Sequence, residues 1–397
     1  MVDVVVIGAG PGGSSAAYWL ARYGLDVRLL DKREFPRDKT CGDAIAPRSL
    51  AALERMGLLA QLDAPRFSTA RAFGPGGRQM RSSMGARDSR YPRYSLVIRR
   101  VKFDDAVRRH AIEAGAVFIG GFNVQSALNA GERVVVSGQR DGHFQSIGAR
   151  LAVVAVGANV ALLRSIGVLD KTPPMILAAR SYFEGLDPQD DLLDFYFDDV
   201  IRPGYGWVFP LGDGTANVGA GFLAKRGRSV TGREAFDFFR ARNTAARKRL
   251  KDARQVGPVK GYPLRIDFAT APTFGERMLL VGEAAGLVNP LTGEGIDFAL
   301  ESGEIAAEFA VSALRRGDLS RRGLRDYDRR LRQKFQSVFV ATMWLRRLYL
   351  NPLVLRLLMD RAARRPELAD LVGGVVTATS DPRFGLNPAT ILRYLFA

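Results

Sequence analysis

The sequence predicts an α/β protein: a doubly wound parallel sheet into which an antiparallel β-rich domain is inserted, followed by a helical C-terminal region. Three observations predict it. Val2 to Lys32 reads as strand, glycine turn, helix and second strand; Ala178 to Leu223 alternates as antiparallel strands; and Arg277 to about Arg316 supplies another buried strand, a second glycine-rich turn and a long helix. With 397 residues, 47% of them hydrophobic, the chain can bury more than one domain's core.

Val2 to Ile7 is β-branched and too apolar to alternate, as a strand buried on both faces of a parallel sheet requires. The turn GAGPGG follows, with Gly8, Gly10 and Gly13 in GxGxxG spacing around Pro11 and Gly12. The first glycine permits the tight turn, the second lets backbone approach a pyrophosphate, and the third lets helix pack on strand. The helix is expected to open on Ser14 and Ser15, with its unpaired N–H groups and positive dipole end aimed at the turn. Asp31 ends the second strand about twenty residues after the glycines, where a carboxylate accepts from ribose hydroxyls and repels a 2'-phosphate. The pattern calls for an ADP-containing cofactor and does not by itself separate NAD from FAD.

Composition removes several classes. Cys41 is the single cysteine, which excludes a disulfide framework, and with only His110 and His143 no metal site is expected. No signal-like stretch precedes the first strand and no apolar run approaches the roughly 18 residues of a spanning helix, so the expected location is cytoplasmic. Lys and Arg number 58 against 41 Asp and Glu, a net +17, concentrated in Lys225 to Lys260 (twelve basic, three acidic) and Arg315 to Lys334 (nine and three). Such stretches are either solvated faces or surfaces for acidic partners. No nucleic-acid fold motif accompanies them, so nucleic acid is not an expected partner.

Between the two glycine turns the elements follow in order. Pro36 and Cys41-Gly42-Asp43 indicate a loop just beyond the nucleotide, and Pro47 opens a helix. Phe67 to Tyr94 has a broken strand pattern, expected in the inserted domain. Leu96 to Ile98 reads as a strand, Phe103 to Gly115 as a helix, and Ala116 to Ile119 as a third parallel strand, with Asn123 and Val124 just past it near the adenine. Val134 to Ser137 and Leu151 to Val156 are further strands, and Val230 to Arg254 is a basic helical stretch. The expected division is 1–66, 95–160 and 275–316 for the nucleotide domain, 67–94 and 161–274 for the β-rich domain, and 317–397 for the helical region.

The second turn favours FAD over NAD. A buried strand ending in Gly282-Glu283 supplies a carboxylate for a polyol hydroxyl, and Gly293-Glu294-Gly295-Ile296 opens a helix whose N-terminus stabilises negative charge on a flavin ring. Together GAGPGG, Asp31-Lys32, FPRDKTCGD at 35–43, Arg100 before Phe103-Asp104, PGYGWVFPLGDGTANVGAG at 203–221 and GEAAGLVNPLTGEGIDFALESG at 282–303 resemble the FAD-dependent geranylgeranyl reductase family, from Val2 to about Gly317. That family sits in the flavoprotein group that includes para-hydroxybenzoate hydroxylase, and the chain looks like its actinobacterial members that reduce polyprenyl chains of quinones. The resemblance implies a Rossmann-type FAD-binding domain. It places Gly8, Gly10, Pro11, Gly12, Gly13, Asp31, Lys32, Lys39, Cys41, Gly42, Arg100, Val124, Gly157, Gly282, Glu283, Pro290, Gly293, Gly295 and Ile296 around FAD. It also implies an isoprenoid substrate under the sheet and Cys41 beside the flavin, with the electron donor, NAD(P)H or a ferredoxin-like protein, left open. The chain departs from the family pattern at Glu283, where Asp is usual, and at Ala155-Val156-Gly157-Ala158-Asn159-Val160, where Ala-Asp-Gly-Ala-x-Ser is usual.

Two segments carry the substrate side. Tyr205, Trp207 and Phe209 alternate on one strand and share a face, which is either β-domain core or an aromatic wall opposite the flavin. Phe335, Val338, Phe339 and Thr342 share a helix face in a segment ending MWLRRLYLNPLVLRLL, which either packs on the FAD domain or meets an anionic membrane surface. Cys41 is either a small buried hydrophobe or, flanked by Lys39 and Gly42 at the family's flavin-facing position, a proton donor or shape element. The resulting function is reduction of carbon-carbon double bonds in an isoprenoid lipid or prenylated quinone. The alternative is a flavin-dependent monooxygenase or halogenase acting on an aromatic or polyketide, whose GWxWxIP stretch resembles the same aromatic strand.

Overall fold

The computed structural model describes residues 1–84, 91–225, 227, 229–349, 351–376 and 379–380, with the backbone alone at 348, 349, 375 and 376. Val2–Ile7 is central to the larger sheet, and Val4, Val5 and Val6 expose no surface, as the unbroken apolar run requires. It pairs in parallel with Val27–Leu30 on one side and with His143–Val154 on the other. Val117–Ile119 extends the first side and Met278–Leu280 the second, again in parallel. The chain therefore builds outward one way from Val2–Ile7 and then the other, and a crevice opens at the carboxyl ends of strands where that reversal falls. Asn123–Asn129 and Val134–Arg140 add antiparallel strands beside His143–Val154.

The helix after the first strand is Pro11–Arg22, capped by Gly10, and so starts a turn earlier than Ser14. Proline's fixed φ and missing N–H suit the first helical position. This helix packs on Ile296–Arg316 at backbone contact: a Cβ at Gly303 would lie 2.6 Å from the Gly12 carbonyl oxygen, and Ser15 Oγ donates to Leu300 O at 2.7 Å. The close packing of these two helices joins the two glycine-rich turns into one site.

The second sheet runs Arg254–Arg265, Met175–Glu184, Thr215–Leu223, Gly204–Pro210, Leu192–Tyr196, Thr69–Gly74, Arg78–Ser83. It is antiparallel except where Leu192–Tyr196 meets Thr69–Gly74. Its outer face buries Val208, Val218 and Ala220 against Phe236 and Phe239 of the helix Gly232–Arg242. Tyr205, Trp207 and Phe209 point the other way, and Trp207 and Phe209 pack with Phe67, Met84, Val97, Leu193 and Leu211.

Some expectations need correction. The basic helical stretch is two helices, Gly232–Arg242 and Thr244–Arg249, and Arg254 opens a strand of twelve residues instead of ending a helix. Pro258, Pro263, Gly257 and Gly261 hid that strand, and the sheet tolerates them because it lies at an edge. Arg226 and Arg228 of the basic stretch Lys225 to Lys260 fall outside the described residues. The strand at 96–98 is Ser95–Val97 and belongs to neither large sheet; it pairs with Ala44–Ile45 and Arg66–Phe67. The helix expected from Phe103 starts at Arg100.

In the C-terminal region Arg325–Tyr349 is one helix, followed by Pro352–Ala362 and Pro366–Val376. Phe335, Val338, Phe339 and Thr342 are all buried. The Phe339 ring lies 4.9 Å from both Phe298 and Phe268, and Phe335 lies 5.5 Å from Phe298. Of the two uses open to that face, packing on the first domain is the one adopted, and a membrane cannot reach it. Residues 348–350 of the expected apolar segment lack described side chains, and 381–397 of the expected helical region fall outside the described residues.

Phe298 has no exposed surface and touches two rings of the packed face, so Phe298→Ala should lower unfolding stability by about 3–5 kcal/mol in urea denaturation. A loss under about 1 kcal/mol would contradict the docking of the C-terminal helix on this core.

Candidate functional site

Three glycines of the first turn are required for two different reasons. Gly8 has φ +102° and a Cβ there would lie 2.5 Å from Ala155 O, while a Cβ at Gly13 would lie 1.8 Å from Gly8 O. Those two are demanded by the fold itself. At Gly10 the nearest atom to a Cβ is Arg37 Nη2 at 3.8 Å, so the protein leaves that space open, at a helix end where no side chain caps the first-turn N–H groups. Open space beside uncapped donors fits the pyrophosphate of FAD. Asp31 is fixed next to it: Ala9 N–H donates to Oδ2 at 2.9 Å and Arg33 N–H to Oδ1 at 3.0 Å, with Arg37 Nη2 3.7 Å away.

From this turn a cavity of about 920 Å³ runs between the two sheets. Gly8, Gly10, Pro11, Gly12, Asp31, Lys32 and Val124 line one part of it. Lys39, Cys41, Gly42, Arg100, Gly157, Gly282, Glu283, Pro290, Gly293, Gly295 and Ile296 line the middle, and Tyr205, Trp207 and Phe209 form a wall. Beyond the wall the lining becomes mostly apolar, through Phe195, Phe197 and Met80 to Leu355, Leu358 and Met359 of the C-terminal helices, with Ser82, Ser83 and Arg346 among them. Of the residues expected from the sequence, Gly13 alone stands behind the lining, in its packing role.

Glu283 is held from several sides. Arg265 N–H donates to Oε1 at 3.0 Å, Tyr262 O–H donates to Oε2 at 3.2 Å, and Lys39 Nζ approaches Oε2 at 4.0 Å. Tyr262 Oη also accepts from Ala158 N–H at 3.2 Å, so the carboxylate and the turn at 155–159 are tied through one phenol. The longer side chain of Glu283 is thus placed near Gly157, where a Cβ would lie 3.3 Å from it. Burial pushes the Lys39 ammonium below the usual lysine value, against the pull of Glu283. The departure at 155–160 keeps its helix start, because Asn159 Oδ1 accepts from Leu162 N–H at 3.1 Å.

Cys41 is half-buried on the loop opposite this group. The guanidinium of Arg100 is hydrogen-bonded to Asp104 at 2.6 and 2.8 Å, and it lines the cavity together with Cys41. Burial works against the Arg100 charge, but Asp104 and Cys41 raise its proton affinity above the ordinary arginine value. Gly42 turns toward the wall: a Cβ there would meet Phe209 at 3.3 Å and Trp207 Nε1 at 3.5 Å.

Sequence reasoning missed the residues that hold this loop. Asp43, fully buried at φ +66°, accepts from Tyr182 O–H at 2.7 Å, Asn217 Nδ2 at 2.8 Å and Arg100 N–H at 3.3 Å. Asn217 Nδ2 also donates to Cys41 O at 2.7 Å, and its Oδ1 accepts from Trp207 Nε1 at 2.9 Å. Asp43 and Asn217 stand in recognised motifs, and a polar residue amid small ones was their only signal. Tyr182 and Tyr262 sit on strands with nothing to mark them.

Because Gly10 is open in the protein and needed only by a ligand, Gly10→Val should fold with wild-type cooperativity and purify without yellow flavin absorbance. Retained FAD in that variant, or a colourless wild type that binds no added FAD, would refute the assignment of the turn.

Residues 1–187 match the FAD binding domain family, and residues 175–257 match the geranylgeranyl reductase catalytic domain. The chain is 36% identical over 320 residues to the menaquinone reductase of Mycobacterium tuberculosis, covering 78% of this chain and 76% of that one. It is 31% identical over 353 residues to digeranylgeranylglycerophospholipid reductase 2 of Methanopyrus kandleri, covering 85% and 84%. Among solved structures, a geranylgeranyl bacteriochlorophyll reductase-like protein of Thermoplasma acidophilum shares the fold at a TM-score of 0.83 and 23% identity, over 99% of this chain and 98% of that one. A flavin-dependent brominase shares it at 0.79 and 20%, over 99% of each. The fold is thus common to reductases and halogenases, whereas both relatives named above at more than 30% identity are reductases, and the chain is an FAD-dependent oxidoreductase belonging to the geranylgeranyl reductase family.

Proposed function

We propose that this protein reduces carbon-carbon double bonds in the isoprenoid chain of a membrane lipid or prenylated quinone. The observation that carries this reading is the single cavity joining the FAD-fitting turn, Cys41 and the aromatic wall to an apolar end among the C-terminal helices. A long hydrocarbon offers no polar group to recognise, and the far end of this lining is mostly apolar. The names of the relatives point the same way, since both are reductases of lipids that carry prenyl chains. The monooxygenase or halogenase alternative rests on likeness of fold alone.

The residues divide the work as follows. Gly10, the Pro11–Arg22 helix end and Asp31 hold the FAD dinucleotide, and Glu283 with the Gly293–Gly295 turn orients its flavin end. Reduced FAD, when bound, supplies the hydride that goes to one alkene carbon. Tyr205, Trp207 and Phe209 press the alkene flat and exclude water. Cys41 gives the proton to the other carbon, and Arg100, kept cationic by Asp104, stabilises the thiolate left behind.

The lipid must come from a bilayer, so the substrate end of the cavity meets an anionic membrane. The face that does so is the exposed side of the Pro352–Ala362 helix, where Leu353 and Leu357 are 75% and 41% exposed, together with Trp344 at 55% under the Arg347 guanidinium. Leu355 and Leu358 of the same helix line the cavity. No helix among the described residues is long and apolar enough to cross a membrane.

Anaerobic photoreduction followed by mixing with prenyl lipids or with aromatic compounds tests the reaction. Reoxidation by prenyl lipids with saturated product is expected, and reoxidation by none of them overturns the reading. Cys41→Ser and Cys41→Ala should both retain and reduce FAD, yet pass electrons to the alkene at least about 10²-fold more slowly. Wild-type reoxidation rates in both would leave Cys41 a shape element only. Leu353→Asp with Leu357→Asp should weaken co-sedimentation with anionic vesicles by at least about tenfold, and added salt should weaken it in the wild type. Unchanged partition of the double variant would exclude this face.

A further inference from the structure

Two arginines are among the largest fully buried side chains, and they differ in one respect. Arg265 is satisfied within the protein: Nε and Nη2 donate to Asp267 at 2.6 and 3.2 Å and Nη1 donates to Ala284 O. Arg180 is not. Its Nη2 donates to Asp38 Oδ1 at 2.8 Å and its guanidinium lies 4.3 Å from the Tyr182 ring centre, but its buried Nε has no acceptor. A buried donor left unpaired inside a cavity lining asks for an acceptor from outside the chain.

The sheet sets a second cation beside it. Lys260 is the cross-strand partner of Arg180, and the register shifts between Arg180 and Tyr182, a bulge of the kind that re-aims a side chain. Lys260 Nζ donates to Asp38 Oδ2 at 2.7 Å, so one carboxylate bridges two cations and the group keeps a net charge of +1. Lys260 and Asp38 are partly exposed while Arg180 is buried, which opens the group toward the cavity. Lys260 keeps ammonium protons beyond the one Asp38 takes, and Arg180 keeps its Nε–H.

We infer that Arg180 and Lys260, bridged by Asp38, form a binding site for a phosphate or diphosphate group, distinct from the glycine turn that fits the FAD pyrophosphate. A tetrahedral phosphate reaches both donors with two oxygens and is drawn by the uncompensated charge. This rests on reading the cavity as the site of a prenyl-lipid reductase. Both molecules that reading brings in, a prenyl lipid with a phosphorylated head and a pyridine dinucleotide donor, can carry this chemistry.

The test uses FAD-loaded protein, inorganic diphosphate as probe, and calorimetry in about 0.15 M salt. Lys260→Glu and Arg180→Lys should each weaken diphosphate binding at least about tenfold. Lys251→Glu, the same charge change on an exposed residue outside the cavity, should not. Diphosphate that slows anaerobic reduction of the flavin by NADPH assigns the site to the dinucleotide; diphosphate that slows reoxidation of photoreduced protein by prenyl lipid assigns it to the lipid head. Equal binding by wild type and Lys260→Glu overturns the inference, as does inhibition of neither half-reaction. A shifted flavin spectrum in Arg180→Lys with diphosphate affinity intact also overturns it, because Arg180 Nε then serves the flavin. Failure of photoreduced wild type to reduce any prenyl lipid would sink the reductase reading, while the calorimetry still decides the anion site.

Discussion

The Asp43 carboxylate is the constraint on which the site depends. It accepts from the strand that carries Tyr182, the strand that carries Asn217 and the first residue of the Arg100–Glu113 helix, while its own carbonyl accepts from Ile98 N–H at 3.0 Å. Burial pushes Asp43 above the usual carboxylate range even though Asn217 and Tyr182 donate to it. Replacing any one donor would leave buried charge less compensated, and a half-satisfied buried group costs more than the bond itself contributes. The Cys41 loop therefore has one position relative to the inserted sheet. Through Asn217 the same constraint fixes the Trp207 indole, and through Arg100 it sets the cation beside the Cys41 thiol.

The legible part of this molecule was whatever a chain writes locally. Val2–Ile7 is apolar without alternation, and the glycines after it mark a turn, so the parallel core could be read residue by residue. The aromatic strand was legible for the same reason: a period of two puts Tyr205, Trp207 and Phe209 on one face whatever lies opposite. What lay opposite was not legible. The sequence offered the face of Phe335 and Phe339 to two partners, and only the position of Phe268 and Phe298 decides between them. Arg254–Arg265 was hidden because its prolines and glycines read as loop, and only its place at a sheet edge makes them tolerable. Asp43, Tyr182 and Tyr262 act across 21 to 174 positions of sequence to reach Asn217, Asp43 and Glu283, distances at which no local pattern survives.

The wall itself is shaped by side chains that are missing. A Cβ at Gly219 would lie 2.1 Å from Trp207 Cζ2, and one at Gly206 would lie 2.5 Å from the Phe239 ring. The first glycine lets the indole lie flat over the neighbouring strand; the second lets the helix behind the sheet press close and hold that strand in place. With its N–H taken by Asn217, Trp207 has neither room nor reason to rotate. A wall of this kind reads thickness, since rings packed on glycine cannot yield to a bulkier ligand. Hydrocarbon substrates that differ by a double bond present no hydrogen-bonding group by which a pocket could sort them, so discrimination has to come from shape and from the length of apolar channel available. Ionic side chains of the lining are paired within the protein: Asp31 with Arg37 beside the first glycine turn, Lys39 with Glu283 and Arg100 with Asp104 in the middle, and Arg180 with Asp38 at the inserted sheet. The stretch between the aromatic wall and the C-terminal helices is mostly apolar, and because Met80 at the sheet edge packs on Leu358 and Met359, its depth depends on how closely the Pro352–Ala362 helix seats there.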